Sequence, residues 1–235
     1  RNDSASPRRL TGKNVISISN RAWAWTLVMA IPLVMVPVST RADKIVTALT
    51  FSSQGLKFLE EERFQGRTRY QIVSMDGQNV LKATTLNTAS ALFREFTVDL
   101  EKTPKLNWRW RVDNVFGISD QQQKSGDDYP ARVYVVIREG FFPWQTKALN
   151  YVWSNHPTKM DYWPNPFTAK AAMIPLRSSK DGLGQWQIEQ VNIVEDFNKV
   201  FGRKISEVDG VAIMSDSDNA GGSATAYYGD IYFSD

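Results

Sequence analysis

The chain has 235 residues, 42% hydrophobic, 12% aromatic and 23% charged, an ordinary folded composition unlike that of a disordered or collagen-like chain. It contains no cysteine and a single histidine, His156, which excludes disulfide scaffolds, thiolate or multi-histidine metal centres and cysteine nucleophiles, and argues against a Ser-His-Asp hydrolase. The net charge of +3 is unevenly placed: six of the 28 basic residues precede Asp43 (Arg1, Arg8, Arg9, Lys13, Arg21, Arg41), but only one of the 25 acidic residues does (Asp3), so the rest carries 22 against 24, a net −2. A nucleic-acid partner needs a concentrated basic face, and the region after Asp43 lacks that excess.

Residues 22–39 (AWAWTLVMAIPLVMVPVS) form an uncharged apolar run between Arg21 and Arg41. As a helix it would rise roughly 27 Å, just short of the ~30 Å hydrocarbon core. Pro32 and Pro37 interrupt it. The basic stretch, the apolar run and then Thr40-Arg41-Ala42 read as a secretory signal, with an uncleaved N-terminal membrane anchor as the alternative. Arg8-Arg9 invites a twin-arginine reading, against which the distance to the apolar run argues. Either reading expects residues 1–42 to be a leader or anchor and residues 43–235 to be one domain, periplasmic or secreted, or anchored to the inner membrane and facing the periplasm.

Beyond the leader, short runs rich in β-branched and aromatic residues alternate with Gly, Pro, Asn and Asp turn signals. They predict strands at 69–75, 79–85, 91–99, 106–113, 132–139, 148–154, 171–176, 185–193, 210–215 and 225–233. Asp76-Gly77 marks a hairpin between the first two. Only 195–201, ending at Gly202, reads as a helix, with a short helical turn expected at 60–63. So many strands with almost no crossover helix predict an all-β, minor α, antiparallel β-sandwich of jelly-roll or carbohydrate-binding-module type, with a closed barrel as runner-up.

Alternation sorts the side chains of each strand onto two faces. Leu106, Trp108, Trp110 and Val112 share one face, opposite Asn107, Arg109, Arg111 and Asp113. Val133, Val135 and Ile137 oppose Arg132, Tyr134, Val136 and Arg138; Leu149, Tyr151 and Trp153 oppose Asn150 and Val152. If these three strands pair, Arg109, Arg111, Arg132, Tyr134 and Asn150 meet on one ligand-binding surface of guanidinium forks, an amide and a ring. The bland reading is the wet side of a half-exposed sheet, with the tryptophans filling the core.

Two acidic clusters stand out: Asp127-Asp128 before the strand at 132–139, and Asp216-Ser217-Asp218-Asn219 followed by Gly221-Gly222, with Asp230 further on. Asp216, Asp218, Asn219 and Asp230 offer the hard oxygen donors that Ca²⁺ takes, without EF-hand spacing. The competing readings are turns in which Asp and Asn bond nearby amides, and a structural ion pair of Asp128 or Asp216 with Arg132 or Arg109. Paired carboxylates could also serve glycosidic chemistry, whose required separation the sequence does not fix.

The segments 107–112 (NWRWRV), 126–136 (GDDYPARVYVV), 148–154 (ALNYVWS), 201–202, 211–219 (VAIMSDSDN) and 228–231 (YGDI) occur in an order that resembles the bacterial exported proteins grouped as the domain of unknown function 3047 family. The resemblance spans 51–235, with Ser217 where the family pattern has threonine. It implies an exported β-sandwich and transfers no catalytic residue. The readings that follow are an exported non-catalytic module for a carbohydrate or cell-envelope ligand, a membrane-anchored accessory subunit with a protein partner at the membrane, and a carboxylate-dependent glycan hydrolase or lyase.

Overall fold

The computed structural model describes residues 44–118, 120–140 and 145–235. The expected leader, 1–42, lies outside them. Besides one 3₁₀ turn (Lys124–Gly126), fourteen strands and one α-helix follow one another along the described chain. They are β1 (Ile45–Leu49), β2 (Glu60–Gln65), β3 (Arg69–Met75), β4 (Gln78–Leu86), β5 (Ala89–Asp99), β6 (Lys105–Val112), β7 (Ala131–Arg138), β8 (Thr146–Trp153), β9 (Trp163–Asn165), β10 (Thr168–Arg177), β11 (Gln187–Asn192), α1 (Ile193–Phe201), β12 (Glu207–Asp216), β13 (Ser223–Tyr228) and β14 (Ile231–Ser234). Among the described residues no helix is long and apolar enough to cross a membrane.

The strands form two seven-stranded sheets. In the first, β11 flanks one edge of β6, while β13 and β14 line its other edge in succession; β4 and β3 continue from β13, and β1 pairs with β14. The second runs β2-β5-β12-β7-β8-β10-β9. The four-strand centres, β11-β6-β13-β4 and β8-β7-β12-β5, are wound so that β4 passes to β5, β6 to β7 and β12 to β13 by changing sheet, the jelly-roll pattern. The β4–β5 corner is two residues long, and Asn87 turns it in the left-handed region at φ +52°. Asp76 and Gly77 (φ +52° and +76°) close the β3–β4 hairpin as the two positive-φ residues of a type I′ turn.

Sandwich formation follows from the alternation. Leu106, Trp108, Trp110 and Val112 of β6 face Tyr151 and Trp153 of β8 across the gap, with Trp108–Tyr151 and Trp110–Trp153 ring centroids 5.6 and 5.7 Å apart. Val133, Val135, Ile137, Val211, Ile213, Tyr228 and Phe233 complete this layer, all buried. Each aromatic side chain buried here contributes on the order of 2–3 kcal/mol relative to its exposed state. The helix seals one end with Ile193 and Phe197; the Asn192 side chain accepts from the Val194 and Glu195 amides, and Gly202 (φ +73°) ends it.

Three local expectations give way. Residues 60–63 are strand, because pairing with β5 outweighs the helical preference of three successive glutamates. The run at 225–233 is two strands, broken at Gly229-Asp230. And β8 and β10 pair in parallel, joined by an excursion through β9 rather than a hairpin.

Candidate functional site

The expected meeting of five ligand residues does not occur. β7 and β8 are neighbours, but β6 belongs to the other sheet, reached by the long connection 113–130. With both core faces turned inward, the second faces point away from each other. Arg109 and Arg111 lie on the outer face of the first sheet; Arg132, Tyr134 and Asn150 lie on that of the second, on the far side of the core.

Arg132 is buried, its side chain 2% exposed. Its Nε donates to Asp216 Oδ1 at 2.7 Å, and its Nη2 donates to Asp216 Oδ2 and to the Asp127 carbonyl. Nη1 lies 3.7 Å from Asp127 Oδ2 and donates to Tyr134 Oη at 3.3 Å, while the guanidinium stacks 4.5 Å from the Tyr129 ring. Burial opposes the charge on Arg132, but Asp216, Tyr134 and Asp127 outweigh it and hold the guanidinium well above its usual range. Burial raises the carboxyls of Asp127, Asp216 and Asp218, with Arg132 pulling each of them down and neighbouring aspartates adding to the rise. Next to this pair Asn150 donates to Met173 Sδ at 3.2 Å and Tyr134 to Met214 Sδ at 3.6 Å. Tyr129, Val152, Trp163 and Met173 pack into a second, smaller cluster there.

Asp128, Asp216 and Asp218 can bring one carboxylate oxygen each within 4.8 Å of one another. The oxygens of Asp128 and Asp216 are already in use. Asp128 accepts from the Asn219 and Ala220 amides at 3.0 and 2.6 Å, fixing the turn after β12, and Asp216 is spent on Arg132. Asn219 donates to Asp128 rather than turning an oxygen toward it. Asp230, the fourth expected calcium ligand, is on the opposite side of the core, accepting from the Ser52 amide at 2.9 Å and from its hydroxyl. The set Asp216, Asp218, Asn219 and Asp230 is therefore not one constellation. His156 sits in an exposed loop beside the Ile118 carbonyl.

Asp230 has instead been brought beside Arg109. The outer face of the first sheet carries a cleft of about 430 Å³ lined by Gln78, Asn79, Asn107, Arg109, Gln190, Asp230 and Tyr232, with Ile188 at its margin and 78% exposed. Register builds it: Asn107 of β6 lies across from Gln190 of β11 on one side and Tyr232 of β14 on the other. Gln190 donates to Asn107 Oδ1 at 2.8 Å, fixing that amide. Arg109 is fixed more firmly. Its chain lies over Gly229, where an added Cβ would come within 2.6 Å of Arg109 Cγ. The Gly229 amide donates to the Arg109 carbonyl at 2.9 Å, so the break between β13 and β14 sits under this side chain. The guanidinium stacks 4.5 Å from the Trp186 ring and donates through Nη2 to Gln78 Oε1 at 2.6 Å. Among the described residues no carboxylate forms an ion pair with it. Arg111, two residues along, pairs with Asp113 at 2.9 Å and stacks on Tyr227.

Such a wall of fixed amides, a guanidinium and rings suits a ligand with many hydroxyl or carboxyl oxygens. Arg109 was legible from alternation and Asp230 from its place in the last strand run. Trp186, Gly229, Tyr227, Tyr232, Asn79 and Gln190 were not, since they reach Arg109 only through strand neighbours. The glycine before Asp230 was the one local signal of a break.

The family of proteins of unknown function DUF3047 matches residues 57–232. The chain belongs to this family. The cleft falls almost wholly within the DUF3047 region, Ser52 at its rim lying outside it. No curated protein matches the sequence. Solved structures similar in fold include a glycoside hydrolase domain, Endo-D from Streptococcus pneumoniae, at 11% identity and TM-score 0.36 over 74% of this chain and 21% of that one. The carbohydrate-binding module TmCBM61, in complex with β-1,4-galactotriose, matches at 8% identity and TM-score 0.39 over 80% and 97%. A cellulase derived from Cel12A of Rhodothermus marinus matches at 7% identity and TM-score 0.46 over 83% and 100%. The chain thus spans about a fifth of the Endo-D domain it resembles.

Proposed function

We propose that this DUF3047 protein is an exported, non-catalytic binding module whose outer cleft at Arg109 takes a carbohydrate of the cell envelope. The observation that carries this reading is the fixed state of Arg109 before any ligand arrives: backed by Gly229, stacked on Trp186 and, among the described residues, free of a carboxylate ion-pair partner. A side chain already held in position loses little freedom on binding, so its contacts convert into affinity with small entropic cost. Around it, Asn79, Asn107 and Gln190 supply both donors and acceptors, matching hydroxyls that are both. Tyr232 adds a ring at the edge. Export is supported by the leader pattern of residues 1–42, and the absence of catalysis by the engagement of Asp128 and Asp216 in bonds that hold the fold.

Glycan-array screening of the full chain, followed by calorimetric titration of the best ligand, tests the reading. Arg109→Ala is expected to weaken that ligand about tenfold or more, as removal of a central anchor does. A glycan bound equally by Arg109→Ala, or no glycan bound at all by the folded protein, overturns it.

A further inference from the structure

We infer that the ligand is acidic: a carboxylate-bearing polysaccharide that runs from the cleft across a ladder of cations and rings on the same sheet face. The inference rests on the carbohydrate reading of the cleft and goes on to name the class of ligand.

The ladder is continuous. Arg109 lies over Trp186; Trp186 meets Tyr227 edge to face with centroids 6.5 Å apart; Arg111 and Lys82 flank Tyr227 at 5.4 and 5.8 Å. These residues come from three neighbouring strands and the segment entering β11. Lys82 pairs in register with Tyr227, and Tyr227 with Arg111, so their side chains share the outer face.

Three cations therefore stand on one face of a body whose net charge from Asp43 onward is −2. Only one of them is answered: Arg111 by Asp113. Among the described residues Lys82 and Arg109 take part in no ion pair. Asp230 stands in the cleft, but both its oxygens accept from Ser52, one from the amide and one from the hydroxyl. With Asp113 and Asp230 counted against the three cations, the cleft and ladder still carry a formal excess of positive charge on a negative whole, the arrangement that concentrates an anionic partner.

The geometry of Arg109 narrows the choice. Its Nη2 is committed to Gln78, which leaves the other edge of the fork open. That edge presents two parallel N–H donors, a spacing that a carboxylate fills with both oxygens and a single hydroxyl fills with one. A neutral glycan would leave part of an ordered, partly desolvated guanidinium unmatched; a uronate fills it. The half-buried rings of Trp186 and Tyr227 then border the path of the polymer while Arg111 and Lys82 meet the next carboxylates along it.

The test is calorimetric titration of the full chain with polygalacturonate and alginate against their uncharged counterparts, galactan and mannan, at low and high salt. An acidic polymer is expected to bind at least about tenfold more tightly than its neutral counterpart, with the preference falling as salt screens exposed charge. In Lys82→Gln, a variant outside the cleft, acidic-polymer affinity should drop severalfold while neutral-polymer affinity holds. Equal binding of acidic and neutral polymers, or preference for the neutral ones, overturns the acidic inference and leaves the carbohydrate reading standing. Failure of all four polymers to bind overturns the acidic inference, and the wider carbohydrate reading is then decided separately by the glycan array.

Discussion

Arg132 shows what the acidic residues around it are for. With 2% of the side chain exposed, an unpaired guanidinium would cost several kcal/mol, and the protein answers it with a two-pronged contact to Asp216, the Asp127 carbonyl and the Tyr129 ring. The pair ties β12 to β7 and to the segment 126–130, so it adds to the register that the buried inner faces of these strands already specify. Asp216→Asn leaves the arginine with one carboxylate, that of Asp127 at 3.7 Å, and is expected to lower stability by about 3–5 kcal/mol. Urea unfolding would show this as a lower midpoint with the same slope. Replacing both partners by leucine should restore only part of the loss, because Asp127, itself buried, then loses its one cation. A midpoint unchanged in Asp216→Asn would mean that the pair holds nothing. In the sequence this ion pair is one alternative among several. The choice was not legible because Arg132 and Asp216 are 84 positions apart, and only the pairing of their strands makes them neighbours.

At the scale of elements, alternation sorts the faces of the three strands to which it is applied: it places Trp108, Trp110, Val133, Val135, Tyr151 and Trp153 in the core together. What alternation does not carry is which strand lies beside which. The strands β6, β7 and β8 follow one another in sequence and have matching patterns, yet β6 crosses to the other sheet. The connection 113–130 was itself a cue, being far longer than a hairpin needs. Likewise the three glutamates opening β2 look helical in isolation and become strand only because β5 offers an edge. The break between β13 and β14 is the element that builds the cleft. Gly229 has no need of a left-handed backbone; its missing Cβ makes room for Arg109, whose Cγ, Cδ and Nε are the nearest atoms a methyl would meet. Gly229→Ala should therefore keep its sheet and lose its arginine's position. The expected result is an unchanged far-ultraviolet circular dichroism spectrum, with glycan affinity reduced about as far as in Arg109→Ala. Full affinity in a folded Gly229→Ala would contradict the importance given to the fixed side chain.

For the molecule as a whole, the jelly-roll winding turns two similar polar faces outward in opposite directions, and they do different work. On the second sheet, Arg132, Tyr134 and Asn150 are drawn into hydrogen bonds with Asp216, Met214 and Met173, beside a layer of Tyr129 and Trp163. On the first sheet, Arg109, Asn107 and Gln190 line an open cleft, and Arg111 and Lys82 extend its face across Tyr227. Sequence patterning joined these faces into one because it could count residues along a strand but not the layers between strands. The measurement that separates them most directly is hydrogen exchange of the full chain, followed by mass spectrometry, with and without saturating polygalacturonate. Protection on binding is predicted in peptides covering β6, β11 and the β13–β14 break, with β7, β8 and the turn at 217–220 unchanged. Protection concentrated at β7 and β8 instead would place the ligand on the opposite layer and contradict the assignment of the site to Arg109.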